Sequence, residues 1–215
     1  MDLSSVLTLS IAVSALSCKP GPGMMAIMSR TLSQGMQGCF TFMAGVNLVS
    51  MGYLSLVFMG LVFAKDDLLF ISILIKALAA VYLIWIGIKG LQNPSVELEL
   101  KEGKAESLFD TFTAAAMLTL GNPLIILFYA GILPTILDIG EIGYADMIIV
   151  AVIIMSIETG IAVLYCLPVA YSRHFFTVAS SRRMNLLSSI AIILVGLYIG
   201  YSALPAEDLK AVFFK

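Results

Sequence analysis

Ser17-Cys18-Lys19-Pro20-Gly21-Pro22-Gly23 interrupts an apolar run that would otherwise form one long membrane helix. Proline lacks a backbone N–H and clashes with the preceding turn, so two prolines around a glycine disfavour continuous helix here. In hydrocarbon each freed backbone group is costly, and a break is tolerated only where protein or a water-filled cavity covers it. The stretch therefore predicts a broken helix that lines a cavity.

The whole chain has the composition of an integral membrane protein. Of its 215 residues, 60% are hydrophobic and 12% are charged, whereas soluble domains carry about 25% charged residues. The 12 Lys and Arg residues nearly balance the 14 Asp and Glu residues, which gives no reason to expect a nucleic acid partner. Cys18, Cys39 and Cys166 lie in apolar segments without CxxC spacing, so we expect no disulfide, no metal site and no cofactor.

Six segments are long and apolar enough to cross a bilayer, which takes about 20 residues. They are 3–33, 38–64, 68–91, 108–137, 143–170 and 184–204. The first and fourth would each be roughly 45 Å long as straight helices, well beyond a hydrocarbon core of about 30 Å. The fourth is also interrupted, at Gly121-Asn122-Pro123, where Asn122 brings an amide to mid-membrane depth.

The two breaks divide the chain into similar halves. Pro22 and Pro123 are 101 residues apart, and each break lies in the first of three successive spans. The sequence thus predicts an all-α integral membrane fold of six transmembrane helices in two three-helix repeats, 1–92 and 108–215, the second ending in a short tail. A polar connector at 93–107 joins them. An odd number of helices per repeat makes the repeats inverted, as in transporters whose two broken helices meet near the midplane.

Lysine and arginine are unevenly distributed between the two sides of the membrane. One side would carry Arg30, Lys89, Lys101, Lys104, Arg173, Arg182 and Arg183, and the other Lys65, Lys210 and Lys215. Because cytoplasmic loops are richer in these residues, we expect the connector to be cytoplasmic. Both termini should then lie outside the inner membrane of a bacterium.

Three charged residues fall well within the spans, away from their ends: Lys19, Lys76 and Glu158. Each costs about 2.5–3.5 kcal/mol on insertion scales, so each should face a cavity or a partner. Glu158, the deepest, is a candidate proton carrier or a counter-charge for an ammonium group. The alternative is an ion pair of Glu158 with Lys76 or Lys19 that fixes helix packing and does no more.

The ends of the broken helices carry partial charges. Free amides at Gly23, Met24 and Met25, and those after Pro123, favour a carboxylate. Carbonyls that end the preceding halves, at 16–18 and 120–121, favour an ammonium group or a cation, and both ends together suit an amino acid. Neutral hydrogen bonds to the substrate, or ties between helices, are expected from Asn47, Ser50 and Asn122.

Four motifs, in order, are similar to those of one family. They are PGPGMMAIMSRTLSQG at 20–35, LIKALAAVYLIWIGIKGL at 74–91, LTLGNPLIILFYAGILP at 118–134 and RMNLLSSIAIILVGLYIG at 183–200. The chain thereby resembles the lysine exporter (LysE/RhtB) family of bacterial amino-acid efflux proteins. The resemblance implies six helices, export of small amino acids or their derivatives from the cytoplasm, and coupling to the proton-motive force. It implies roles for Pro20, Gly21, Pro22, Lys76, Asn122 and Pro123.

The chain also departs from the family pattern. Gly23 stands where an asparagine is usual, Leu124 where a lysine is usual, and Ser50 where an aspartate is common. Lys19 and Glu158 are outside the pattern. One interpretation is that a charge pair has been relocated within the site.

The sequence therefore predicts a secondary exporter, not an enzyme, with an amino acid, protons and lipid as partners. Lys19, Pro20–Pro22 and the following amides would hold the substrate carboxylate, Glu158 the ammonium group or coupling proton, and Lys76 would set the charge of Glu158. A homo-oligomer is compatible with this function. The alternatives are a CcdA-like thiol oxidoreductase, which would need a cysteine at the second break, and a scaffold that transports nothing.

Overall fold

The computed structural model describes residues 2–63, 68–92, 107–137, 143–171 and 178–203. They form seven helices and no strand, which agrees with the all-α part of the predicted fold class: α1 (Leu3–Ser17), α2 (Pro22–Phe63), α3 (Leu68–Gln92), α4 (Leu108–Leu120), α5 (Pro123–Ile136), α6 (Tyr144–Tyr171) and α7 (Val178–Ala203). By length and composition four of the described helices qualify as membrane spans, or five if α4 and α5 count as one. The connector at 93–106, the tail beyond 203 and the loop residues Lys65 and Arg173 lie outside the described residues.

The first predicted break lies between α1 and α2. Helix α1 ends at Ser17 with Cys18 as its C-cap, and α2 begins at Pro22. Proline is favoured at the first helical position because the missing N–H would have no helical partner there. The interruption expected from the prolines is thus confirmed.

Helix α2 is two helical arms joined at Gly35. A straight helix of 42 residues would be roughly 63 Å long, about twice the hydrocarbon thickness. Gly35 has φ 65° and ψ −159°, a backbone conformation that is essentially restricted to glycine. Met28 before it packs in one buried cluster with Cys39 and Phe42 after it, so the chain folds back. The reversal falls between the predicted spans 3–33 and 38–64.

The second break separates α4 from α5, whose axes are bent by 59°. Gly121 is the C-cap of α4, Asn122 is the N-cap of α5, and Pro123 is its first residue. The interruption predicted at Gly121-Asn122-Pro123 is therefore confirmed, and its polar residue has a structural role at the helix end.

Small residues let α3 and α7 pack closely. A β-carbon added at Gly196 would lie 3.1 Å from the carbonyl oxygen of Ala80, and one at Gly87 would lie 2.9 Å from that of Ser189. Elsewhere α2 packs against α4 and α6, and α1 against α6. These contacts bring the α1–α2 and α4–α5 breaks to the same place.

Candidate functional site

Both helix breaks line one cavity of about 560 Å³, within the range of small-molecule sites, about 300–1,000 Å³. The first break contributes 19–23, the second contributes Gly121 and Asn122, and α6 contributes Glu158 and Tyr165. The cavity expected beside Pro20–Pro22 is therefore present. Apart from these groups, most of its wall is apolar, so a few polar groups would orient any ligand.

The N-terminus of α2 opens onto this cavity. Met25 N–H donates to the Gly21 carbonyl at 3.0 Å, so Met25, contrary to expectation, is not free. Gly23 and Met24 precede it in the first turn, where amides have no helical acceptor, and both line the cavity. Gly21 has no side chain to cap them. This end of α2 can therefore donate to an anionic group.

The second break differs, because Asn122 caps its helix. The Asn122 Oδ1 atom accepts a hydrogen bond from Leu124 N–H at 3.1 Å, and the Asn122 carbonyl accepts one from Ile125 N–H at 3.4 Å. The expectation that free amides follow Pro123 is therefore wrong at these two positions. Amides that have no helical acceptor are therefore left at the cavity on the α2 side.

Lys19 places an ammonium group at the first break. Its Nζ donates to the carbonyl oxygen of Ile86 in α3 at 3.0 Å, and both residues line the cavity. An ammonium group has three donors, so this bond leaves two for a ligand. Lys19 forms no ion pair with Glu158.

Glu158 lies where the cavity meets a more deeply buried region. The residue lines the cavity, yet its Oε2 atom has no exposed surface and no hydrogen-bond partner. The hydroxyl of Tyr129 in α5 is its polar neighbour there. A carboxyl group in this position can interact with a ligand in the cavity on one side and with buried groups on the other.

Lys76 is not among the residues that line the cavity. Its Nζ donates at 3.5 Å to the carbonyl of Ser202, in the last turn of α7, where a cation also interacts favourably with the helix dipole. It does not contact Glu158. The structure therefore does not bring together the ion pair of Lys76 and Glu158 that the sequence offered, and the Lys76 ammonium group lies at the end of α7.

Asn47 and Ser50 lie beyond the cavity wall, on one face of α2. Asn47 Nδ2 donates to Thr159 Oγ1 of α6 at 3.2 Å, and the Ser50 hydroxyl lies near that of Tyr129. Neither residue is among those that line the cavity. Asn47 thus contacts the residue that follows Glu158 in α6, and Ser50 is linked to Glu158 through Tyr129.

Two tyrosines that the sequence reasoning missed cap the ends of the broken helices. Tyr165 of α6 donates to the Cys18 carbonyl at 3.3 Å, and Tyr53 of α2 donates to the Leu120 carbonyl at 2.7 Å. These two carbonyls, expected to be free for an ammonium group, therefore already have donors. The sequence could have indicated both residues, because a tyrosine inside an apolar span usually needs a hydrogen-bond partner for its buried hydroxyl.

The cysteines do not form a redox pair at the break. Cys39 and Cys166 are buried as free thiols and adjacent to each other, whereas Cys18 lies at the end of α1. Within the described residues no group of three or more His, Cys, Asp or Glu side chains could hold a metal ion.

Comparison with known proteins gives one family and one relative. The family model described as LysE type translocator matches residues 14–203, which confirms the family resemblance. An uncharacterized membrane protein of Synechocystis sp. is 26% identical over 200 residues, covering 93% of this chain and 97% of the relative. No solved structure matches the chain.

Proposed function

Because this chain belongs to the LysE type translocator family, we propose that it exports an amino acid or a small amino-acid derivative by secondary active transport. The observation that carries the proposal is the single cavity that joins both helix breaks to a lysine and a carboxyl group. Opposite charges in one small cavity suit a zwitterion, and a cationic amino acid could use the same carboxyl group.

The substrate carboxylate would bind at the first break. Lys19 retains two donors there, and Gly23 and Met24, whose amides are in the first turn of α2, also line the cavity. Pro20 and Pro22 keep this backbone out of helical pairing. The substrate ammonium group would bind at Glu158, the carboxyl group that lines the same cavity.

Coupling to protons would use the same carboxyl group. Glu158 would hold either a proton or the substrate ammonium group, but not both at once. Exchange of one for the other during the transport cycle would give antiport. The position of Glu158 supports this role, because it is connected through Tyr129 to Ser50, where the family resemblance implies an aspartate. The negative charge that an aspartate at position 50 would supply from α2 would thus come from Glu158 in α6.

Alternating access would come from two inverted three-helix repeats, 1–92 and 108–215, joined by 93–107. The reversal at Gly35 supports six spans, because the arms of α2 then belong to the first and second. The tyrosine caps support the repeat: Tyr165 of the second half binds the break of the first, and Tyr53 does the converse. Such exchange is expected for inverted repeats that pack around a shared midplane site.

We place the protein in the inner membrane of a bacterium with both termini outside. The support is the distribution of lysine and arginine between the predicted loops. Export would then run from the side of the connector to the side of the termini.

A thermal-shift panel of amino acids tests substrate binding on the purified protein in detergent. We expect saturable stabilisation by particular amino acids, since a ligand that binds only the folded state raises the melting temperature. Lys19→Met should lose this stabilisation, and the matched variant Lys76→Met should keep it. Equal stabilisation of Lys19→Met and the parent protein would remove the carboxylate assignment, and a flat panel would contradict amino-acid binding.

A further inference from the structure

A ring of polar side chains lies behind the cavity, between α2, α5 and α6. Asn47 and Ser50 are one helical turn apart on α2, so they share a face. Asn47 contacts Thr159, which is next to Glu158 in α6. Tyr129 of α5 closes the ring, because its hydroxyl lies near both Glu158 and Ser50.

Four oxygen atoms of this ring are buried and form no hydrogen bond of good geometry, although the Tyr129 hydroxyl is close enough to Glu158 and Ser50 to interact with both. They are Asn47 Oδ1, Ser50 Oγ, Tyr129 OH and Glu158 Oε2. Ser50 is 2% exposed and Tyr129 is 1% exposed, so lipid headgroups and bulk water do not reach them. Buried polar groups are normally paired. Four unpaired oxygens in one ring therefore indicate a ligand that interacts with oxygen.

The charge of the ring restricts the kind of ligand. Both buried lysines have carbonyl partners, since Lys19 donates to Ile86 and Lys76 to Ser202, and neither forms an ion pair with the Glu158 carboxylate. An ionised carboxylate with no counter-charge is unfavourable in a low-dielectric interior. A water molecule would pair the oxygens but leave this charge unbalanced. A proton on Glu158 would remove the charge and could donate to one neighbouring oxygen, but it would add only that one donor to the ring.

A small cation satisfies both conditions. Carboxylate, amide and hydroxyl oxygens are the ligands that hard cations prefer. A single carboxylate supplies one negative charge, which matches a monovalent ion and would leave a divalent ion only half neutralised. We propose that Asn47, Ser50, Tyr129 and Glu158 bind one sodium ion.

The location of this ion would link it to the cavity. Glu158 belongs to the oxygen ring and also lines the cavity, so a sodium ion in the ring competes with a substrate ammonium group for one carboxylate. This consequence rests on the proposed function, whereas sodium binding itself does not. The titratable and charged groups around that carboxylate are Tyr129 in the ring and Lys19 and Tyr165 in the cavity.

The direct test is equilibrium binding of ²²Na⁺ to the purified full-length protein, at constant ionic strength and pH, with choline as the replacement cation. We expect saturable binding of one ion per chain. Tyr129→Phe and Ser50→Ala each remove one oxygen and should weaken sodium affinity by about tenfold or more, since even outer-shell changes at metal sites cost about 10–100-fold. Tyr198→Phe and Ser10→Ala are the matched controls, with unchanged affinity.

A second measurement covers the case in which a ring variant is poorly folded. The melting temperature of the parent protein should rise with sodium chloride and not with choline chloride, and this sodium response should shrink in Tyr129→Phe. No saturable sodium binding, or stabilisation by low pH alone, would overturn the proposal, as would unchanged affinity in both ring variants. If amino acids fail to bind while sodium binds, the proposed function fails and the sodium site stands.

Discussion

Gly35→Ala tests the reversal that divides α2 into two helical arms. At φ 65° and ψ −159° an alanine is strained, and holding a residue in such a region costs about 1–3 kcal/mol. A β-carbon at Gly35 would meet no atom within 4 Å. The expected destabilisation therefore comes from backbone strain and not from a clash.

Gly52→Ala is the matched control. A β-carbon there also meets nothing within 4 Å, and Gly52 lies in regular helix, where alanine is more favourable than glycine by about 0.5–1 kcal/mol. Both substitutions reduce the conformational entropy of the unfolded chain in the same way. The difference between the two variants thus isolates the folded-state effect, and Gly35→Ala should be the less stable by roughly 1.5–4 kcal/mol when the strain and the helix preference are added.

The assay is thermal unfolding of both variants in the same detergent. At about 2–4 °C per kcal/mol for a chain of this size, Gly35→Ala should melt several degrees below Gly52→Ala. A Gly35→Ala variant that melts at or above the control would refute the reversal at Gly35, because an alanine would then fit a continuous helix.

Three further predictions concern helix packing. Gly196→Val should lower the melting temperature, since overpacking costs about 1–3 kcal/mol, whereas Gly60→Val, which meets no atom within 4 Å, should not; equal effects would contradict the α3–α7 contact. Mild oxidation should link Cys39 to Cys166, seen as a mass loss of two hydrogens, and linkage through Cys18 instead would contradict the α2–α6 packing. Lys76→Met should keep export and change the free energy of unfolding by about 1 kcal/mol or less. Loss of export would show that Lys76 takes part in transport.

The two breaks and their shared cavity could be predicted from the sequence, because the physics involved is local. Proline removes a hydrogen bond wherever it stands, so Pro22 and Pro123 fix the interruptions without knowledge of the fold. The cost of uncovered backbone in hydrocarbon then requires a cavity or a protein cover. The sequence also predicts a reversal near residue 35, since spans 3–33 and 38–64 are separate, but the conformation of Gly35 that makes it comes from the structure.

The partners of the polar groups could not be predicted, because they come from distant parts of the chain. Tyr165 and Cys18 are 147 residues apart in sequence, and Lys19 binds a carbonyl in α3. Charge alone suggested pairing Glu158 with a lysine. The helix packing instead gives both lysines carbonyl partners and places beside Glu158 the hydroxyl of Tyr129, a residue that the sequence reasoning had not singled out.

The most direct test of the central claim is export driven by an imposed pH gradient in proteoliposomes, without sodium, using an amino acid found in the thermal-shift panel. The parent protein should export faster when the gradient is applied. Glu158→Gln should lose this response, because a glutamine cannot carry the coupling proton. If Glu158→Gln exports at the parent rate with the same pH dependence, Glu158 is not the coupling residue and the proposed mechanism is wrong.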